Sequence, residues 1–371
     1  MILSRYKVTS LGFGALVVSL IACARTPKGA GPIVLGAAGA WNEGYGQMNR
    51  RGIQLALEEL NAAARKVSDS VVIEFRNDGG DGVRASGIAQ DFVSNPRILA
   101  VVGHVNSGAM VAAAKVYDEQ LAAVATTASA PSLTGISAWT FRVMSSDSVN
   151  GITLARFAAQ LGRRRVAILY ENNSYGRGLT DAFRRNFRGQ IISMDPIDEG
   201  PQNFEPYVSF YRLRHPDLVF MAGTDGSGIS FLREARRQKL PADLLGGDGW
   251  TGLTVDTADA EGVYVGAPFS ADDPRPAVQR FVAAFRTRFN ATPDHNASLA
   301  YDATKLLVTA VHRAGRDRKR IRDYVAGLSA RRPFQGVSGP IRFNGDGDPV
   351  GTGILITRIQ RGALKVAEGR R

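Results

Sequence analysis

The chain has 371 residues, 44% of them hydrophobic, and this length predicts two domains of ordinary size rather than a single core. The formal net charge of +12 could indicate a nucleic-acid partner, but the basic residues are dispersed along the chain. No nucleic-acid-binding motif accompanies them, so the charge predicts a solvated basic surface and no nucleic-acid partner. Short strands that alternate with helical patterns favour an α/β fold.

The amino terminus has the features of an export signal. An apolar run over residues 11–22 is short for a membrane span and suits the core of a signal peptide. It ends in Leu20-Ile21-Ala22-Cys23, which resembles a bacterial lipobox. We expect a lipoprotein signal peptide over residues 1–23, a lipid on Cys23 and a tether over residues 24–32; an ordinary signal peptide with a chance cysteine is the alternative. Because Cys23 is the only cysteine, no disulfide is expected.

The first two predicted strands are each followed by a turn of distinctive composition. Residues 33–36 run into a glycine-rich loop that carries Trp41 and Tyr45. This loop could place aromatic side chains over a ligand, or it could be a plain turn with Trp41 in the core. Residues 71–76 run into the acidic turn 77–82, which lacks the later glutamate of an EF-hand and therefore predicts a turn with a helix cap rather than a metal site.

Two turns of small and polar residues follow the third and fourth predicted strands. The first turn, residues 104–107, follows the apolar run 98–102, and the second, residues 126–131, follows the run 122–125. In a parallel sheet both turns lie at the carboxyl ends of neighbouring strands, where helix amino termini expose unpaired N–H groups. This stretch predicts a cradle for a carboxylate or a phosphate, with His104 packed at the strand end.

The alternation of strands and helices restarts after a predicted crossover at residues 144–148. Glycine-rich turns again follow strands, and one of them holds Asp248 between glycines. Two later helices and a final pair of strands suggest further crossings. We predict two Rossmann-like α/β lobes with parallel sheets, joined by a hinge of several crossings. Lobe 1 would comprise residues 33–144 and 271–335, and lobe 2 residues 145–270 and 336–366.

Taken together, these segments resemble the type I periplasmic binding proteins of the branched-chain amino acid class, the group around the leucine/isoleucine/valine-binding protein of ABC importers. The resemblance covers nearly all of the mature chain, and it lies in the order and spacing of several short motifs. These are the glycine-aromatic loop with Gly52-Ile53-Gln54-Leu55-Ala56, Val102-Gly103-His104 with Ser107, Thr127 to Thr134, Ser174-Tyr175-Gly176, Gly247-Asp248-Gly249 and Tyr301-Asp302-Ala303.

The resemblance implies a site for an amino acid zwitterion between the lobes. By position, the ligand carboxylate would meet Ser107, the backbone of Ala128, and Ser129. Ser107 also lies where it can cap the following helix. The ligand ammonium would meet Asp248, which stands where the best-known members carry a glutamate.

The remaining positions implied by the resemblance surround the ligand. Tyr175 would close over the ligand backbone, and Thr224 or Asp225 lies near another contact position. The four histidines are scattered, so no metal site is predicted. Four aromatic residues could line an apolar pocket for a branched or aromatic ligand side chain: Trp41, Tyr45, Trp250 and Phe269.

The predicted function is that of a lipid-anchored solute-binding protein in the cell envelope. It would capture an amino acid, branched-chain or similar, or a small amide and deliver it to an ABC permease, without catalysis or a cofactor. An envelope regulator of the same fold, which binds a protein partner and has a degenerate cleft, is the alternative. An amidase or hydrolase is disfavoured because the sequence contains no Gly-x-Ser-x-Gly elbow and its only cysteine lies in the lipobox.

Overall fold

The computed structural model describes residues 31–256 and 258–367. The predicted signal peptide, Cys23 and the tether up to residue 30 lie outside the described residues. Within the described part of the chain, no helix combines the length and the apolar character needed to cross a membrane.

The first sheet is formed by the amino-terminal part of the chain. Its strands are β1 (Ile33–Gly39), β2 (Val71–Asn77), β3 (Ile98–Gly103), β4 (Ala123–Ala125) and β5 (Thr140–Arg142). They lie in the order β2-β1-β3-β4-β5, and all neighbouring strands are parallel. The helices between them are α1 (Gly44–Ala63), α2 (Gly82–Ser94) and α3 (Ser107–Tyr117). Every residue of β1 and β3 is buried, which is typical of parallel strands that are covered on both faces.

The second sheet is larger and mixed. The strands after β5 are β6 (Arg165–Glu171), β7 (Gln190–Ile197), β8 (Leu218–Ala222), β9 (Asp243–Gly246), β10 (Tyr264–Ala267), β11 (Phe334–Gln335), β12 (Pro340–Ile341), β13 (Leu355–Gln360) and β14 (Ala363–Val366). The order in the second sheet is β14-β13-β10-β9-β8-β6-β7, and β11 pairs with β12 alone. Strands β13 and β14 run antiparallel to their neighbours, so the predicted parallel sheet carries an antiparallel edge. The edge is a hairpin, which needs no crossover helix.

The remaining helices show how the chain passes between the two sheets. They are α4 (Asp147–Gln160), α5 (Ser174–Asn186), α6 (Glu205–Arg214), α7 (Asp225–Arg237), α8 (Pro276–Phe289), α9 (His295–Ala314) and α10 (Arg318–Ala326). Helix α4 packs on α5 beside the second sheet, whereas α8 and α9 return to pack on α1 beside the first. The chain returns once more to the second sheet with β13. The predicted two-lobe α/β fold is confirmed, while the exact lobe boundaries remain a prediction.

The acidic turn after β2 is part of the scaffold. Asp81 accepts a hydrogen bond from the backbone N–H of Arg84 and so caps α2. The buried carboxylate of Asp78 lies 2.6 Å from Nδ1 of His104, and Nε2 of His104 lies 2.9 Å from the Tyr117 hydroxyl. The prediction of a turn with a helix cap is confirmed, and His104 is buried at the end of β3 as expected.

The contact between α1 and α9 depends on a glycine. A Cβ atom at Gly52 would overlap the backbone carbonyl of Ala297, in the first turn of α9. The two helices can approach this closely only because Gly52 has no side chain. The contact fixes the start of α9 against the first sheet.

We predict that Gly52→Ala lowers the free energy of unfolding by about 1–3 kcal/mol, because the new methyl group forces the two helices apart. Gly87→Ala in α2 is the matched control, since no atom lies within 4 Å of a Cβ atom there. The control should raise the free energy of unfolding by up to about 1 kcal/mol through helix propensity. Urea denaturation measures both variants, and equal effects would contradict this account of the helix contact.

Candidate ligand-binding site

A cavity of about 330 Å³ lies where the carboxyl ends of the two sheets face each other, and its volume suits a small molecule. Its walls on the side of the first sheet are Tyr45, Gly80, Val105, Asn106, Ser107, Gly108, Thr127, His295 and Asn296. Its walls on the side of the second sheet are Asn172, Asn173, Ser174, Tyr175, Arg177, Glu199, Thr224, Asp248 and Gly249. Both sheets therefore contribute to one site.

The amino terminus of α3 opens into this cavity. Asn106 is the N-cap residue, and its side chain does not cap the helix. The Ser107 hydroxyl does not cap α3 either, contrary to the expectation from sequence. Its Oγ instead accepts hydrogen bonds from the backbone N–H groups of Ser129 and Ala130, both at 3.1 Å. The first N–H groups of α3 thus have no side-chain cap, and such groups favour an anion.

A buried arginine fixes the turn that faces Ser107. Arg142 in β5 donates hydrogen bonds to the backbone carbonyls of Ser129 at 3.0 Å and Ala130 at 2.8 Å. Its Nε also donates to Asp348, at 2.7 Å, in the segment between β12 and β13. With its carbonyls held by Arg142, the turn directs its N–H groups toward Ser107.

Asp147 is a buried carboxylate beside the site that no sequence motif indicated. It is the first residue of α4, where the chain enters the second half of the structure, and it is fully buried. Ser129 donates its hydroxyl to Oδ2 of Asp147 at 3.0 Å. Burial raises the pKa of Asp147 well above its usual value, and the nearby charge of Asp248 raises that pKa further.

Asp248 lies on the wall contributed by the second sheet. The Tyr175 hydroxyl donates a hydrogen bond to Oδ1 of Asp248 at 3.1 Å and accepts one from the Gly249 N–H at 3.1 Å. Nε2 of His295, at the start of α9, lies 3.8 Å from Oδ2 of Asp248. Burial raises the pKa of Asp248, and the His295 charge opposes that rise. The contact between Asp248 and His295 joins the two sides of the cavity.

Five of the predicted site residues line the cavity: Tyr45, Ser107, Tyr175, Thr224 and Asp248. The Thr224 hydroxyl is directed toward the buried Glu171, to which it donates at 2.7 Å. Ser129 lies one layer behind Ser107 and contacts the site through it, and Ala128 is buried in an apolar cluster. Asp225 lies at the start of α7 outside the cavity wall, where burial raises its pKa to about 6.

The expectation of an aromatic, apolar pocket is wrong for three of its four residues. Trp41 packs edge-on against Phe75 with ring centroids 5.9 Å apart, so the alternative of a core-facing Trp41 holds. Trp250 is buried in the core beside the second sheet, and Phe269 packs against the helices α8 and α9. Sequence reasoning could not separate them from Tyr45, because an aromatic residue in a glycine-rich turn can face either a cleft or a core.

Several polar residues of the wall were not assigned from sequence. They come from strand ends and helix starts, and they are Asn106, Asn172, Asn173, Arg177, Glu199, His295 and Asn296. Tyr175 was expected in the site from the resemblance, but no sequence pattern indicated that the other side chains around it, in the turn after β6, face a ligand. Among the described residues, no three His, Cys, Asp or Glu side chains are grouped so that they could hold a metal ion.

Comparison with known proteins places this geometry in a family. The profile described as "Periplasmic binding protein" matches residues 34–363. The Leu/Ile/Val-binding protein of Citrobacter freundii is 26% identical over 351 residues, which is 92% of this chain and 93% of that protein.

Two solved structures have the same architecture. An ABC transporter substrate-binding protein from Desulfitobacterium hafniense, in complex with Leu, is 27% identical with a TM-score of 0.77, and the match covers 90% of this chain and 99% of that one. A leucine-binding protein from Thermotoga maritima is 23% identical with a TM-score of 0.83, over 91% of this chain and 98% of that one, and at this identity it supports the fold alone. With a site between two α/β lobes and a family match over most of its length, the chain belongs to the periplasmic binding protein family.

Proposed function

We propose that this protein captures a small zwitterion such as an α-amino acid, or else a small neutral amide, between its two lobes and delivers it to an ABC permease. The observation that carries the proposal is the pairing of opposite chemistries across one cavity. The uncapped amino terminus of α3 and Ser107 lie on one side, and Asp248 with Tyr175 lies on the other. A carboxylate suits the first group and an ammonium suits the second.

The acids argue for a zwitterion rather than a simple anion. A phosphate at the amino terminus of α3 would face Asp248 and, behind it, Asp147, and like charges in a buried site repel strongly. An amino acid avoids this repulsion because its ammonium lies between its own carboxylate and the acids. The ammonium would also compensate the buried negative charge that raises the pKa of Asp147.

The mechanism we propose is ligand-driven closure of the two lobes. A ligand can favour a closed form only through contacts that the open form lacks. Ser107 begins α3 beside the first sheet, and Asp248 follows β9 of the second sheet. A ligand that touches both residues therefore supplies such contacts. The contact between His295 and Asp248 across the cavity would add to the closed form. Binding and closure need no reaction at the ligand, so the proposed function requires neither catalysis nor a cofactor.

The same cavity argues against the alternative of an envelope regulator with a degenerate cleft. A disused cleft has no need for so many convergent polar groups in its wall. A thermal-shift screen of residues 24–371 against amino acids and small amides tests the difference, because any ligand that binds the folded chain stabilises it by mass action. A shift with an amino acid supports capture, and no shift with any small molecule would favour the regulator.

We predict that Asp248→Ala weakens binding of the amino acid by about 2–5 kcal/mol, the range for removing one partner of a buried charge pair. Calorimetry measures the affinity. Asp256→Ala is the matched control: Asp256 directly follows the short helix Asp248–Val255 that Asp248 begins, but its carboxylate pairs with the exposed Arg233. Unchanged affinity in Asp248→Ala would remove this residue from the site.

We predict that affinity for the amino acid falls as pH is lowered from 8 toward 5. The raised pKa values of Asp147 and Asp248 mean that protons return to these acids as pH falls, and the ligand ammonium must then displace them. Each displaced proton changes the affinity by up to about tenfold per pH unit. Calorimetry over this range measures the slope, and Asp147→Asn should flatten it. An affinity that stays constant or rises toward pH 5 would contradict the role of the acid pair.

We further propose that Cys23 carries a lipid that anchors the protein at the outer face of a membrane. The proposal rests on the lipobox-like Leu20-Ile21-Ala22-Cys23. We expect Cys23→Ser to abolish incorporation of a fatty-acid label by the full chain expressed in a bacterium. Label that persists in Cys23→Ser would exclude lipidation at this residue.

A further inference from the structure

The structure points to a ligand side chain that ends in a carboxamide: we propose that Glu199 and Arg177, with the amides around them, bind the side-chain amide of a glutamine-like or asparagine-like amino acid. This inference rests on the proposed capture of an amino acid and adds the class of its side chain. The residues that support it lie in the part of the cavity wall that Ser107, Tyr175 and Asp248 do not occupy.

The cavity wall is unsuited to a branched aliphatic side chain. Val105 is its one aliphatic side chain beyond the β-carbon, and its aromatic residues are the two tyrosines, Tyr45 and Tyr175. Four asparagines contribute to the same wall. A leucine side chain in this cavity would remove amide and charged groups from water without offering them a hydrogen bond, and each group that loses its water in this way is costly.

The polar groups beside the second sheet form two separate hydrogen-bonded pairs, in which Asn172, Arg177 and Glu199 are exposed. Asn173 donates its amide to Oε1 of Glu199 at 2.6 Å, and Arg177 donates its Nε to the amide oxygen of Asn172 at 2.8 Å. Within the described part of the chain, no hydrogen bond reaches Oε2 of Glu199 or the terminal nitrogens of Arg177. One acceptor and one group of donors therefore remain available in this wall.

The opposite wall adds two further polar groups. Asn106 donates its amide to the Tyr45 hydroxyl oxygen at 2.8 Å, so the hydroxyl hydrogen of Tyr45 remains free to donate. Tyr45 lies close enough to Glu199 for that carboxylate to raise the pKa of Tyr45, behind the larger effect of burial. Tyr45 and Glu199 thus belong to the same region of the cavity.

The charges of Glu199 and Arg177 determine which polar side chains of a ligand fit this part of the cavity. Glu199 and Arg177 carry opposite charges, so a lysine-like side chain would meet the arginine and a glutamate-like side chain would meet the glutamate. A carboxamide is neutral and has both an N–H donor, for Glu199, and a carbonyl acceptor, for Arg177. It is the side-chain group that satisfies both without introducing a like charge.

Calorimetry of the mature chain with glutamine, asparagine, leucine, glutamate and lysine tests the inference. We expect glutamine or asparagine to bind at least about 100-fold more tightly than leucine, because a site built for hydrogen bonds rejects a ligand that cannot make them. Tighter binding of leucine, glutamate or lysine would overturn the carboxamide inference and leave amino acid capture standing. No binding by any amino acid would overturn both.

Substitution of Glu199 gives a second readout. Glu199→Ala should weaken binding of the carboxamide ligand by about 10-fold or more, the size expected for one hydrogen bond to a charged group, and should change leucine binding less than about threefold. Glu205→Ala is the matched control, since Glu205 is an exposed acid at the start of α6, outside the cavity wall. Thermal melting checks that both variants are folded. Equal weakening of both ligands by Glu199→Ala would overturn the assignment.

Discussion

The structure depends on the burial of two carboxylates, Asp147 and Asp248, beside one cavity. Buried acids are stable only when they remain protonated or when a cation compensates them. The raised pKa values of both acids show that the neighbouring protein groups compensate them incompletely. A ligand ammonium would supply the missing charge. This requirement is the reason that we propose a zwitterion, which brings its own cation, as the ligand.

A chain of hydrogen bonds connects one of these acids, Asp147, with Ser107 in the cavity wall. Ser107 accepts from the backbone of Ser129, and the Ser129 hydroxyl donates to Asp147. Arg142 holds the same turn through its carbonyls and reaches Asp348 near the last crossing of the chain. One network at the crossings between the lobes therefore positions Ser107 and Asp147, whereas Asp248 is held separately by Tyr175.

The sequence was informative about strand ends and uninformative about contacts between distant parts of the chain. Ser107, Tyr175 and Asp248 lie in turns that follow strands, and the family resemblance, rather than the α/β pattern alone, assigned them to a common cleft. Asp147 follows a short crossover instead, and His295 enters from a helix that lies far along the chain. Their positions depend on tertiary packing, which no local pattern records.

The aromatic residues also show that a local sequence pattern does not determine which tertiary contacts a side chain makes. Trp250 lies two residues after Asp248 in a glycine-rich turn, yet its ring is fully buried in the core beside the second sheet. Composition predicted an apolar ligand pocket from such residues, whereas the wall is formed by amides, acids and hydroxyls. The polar character of the pocket became visible only when the strand ends were brought together in the fold.

A crystal structure of the mature chain with its bound amino acid is the most direct test of the zwitterion site. Our account predicts that the ligand carboxylate lies within about 3.2 Å of Ser107 and the first N–H groups of α3. It predicts that the ligand ammonium lies within the same distance of a carboxylate oxygen of Asp248. A ligand bound in the reverse orientation, or one whose ammonium contacts neither Asp248 nor Asp147, would contradict it.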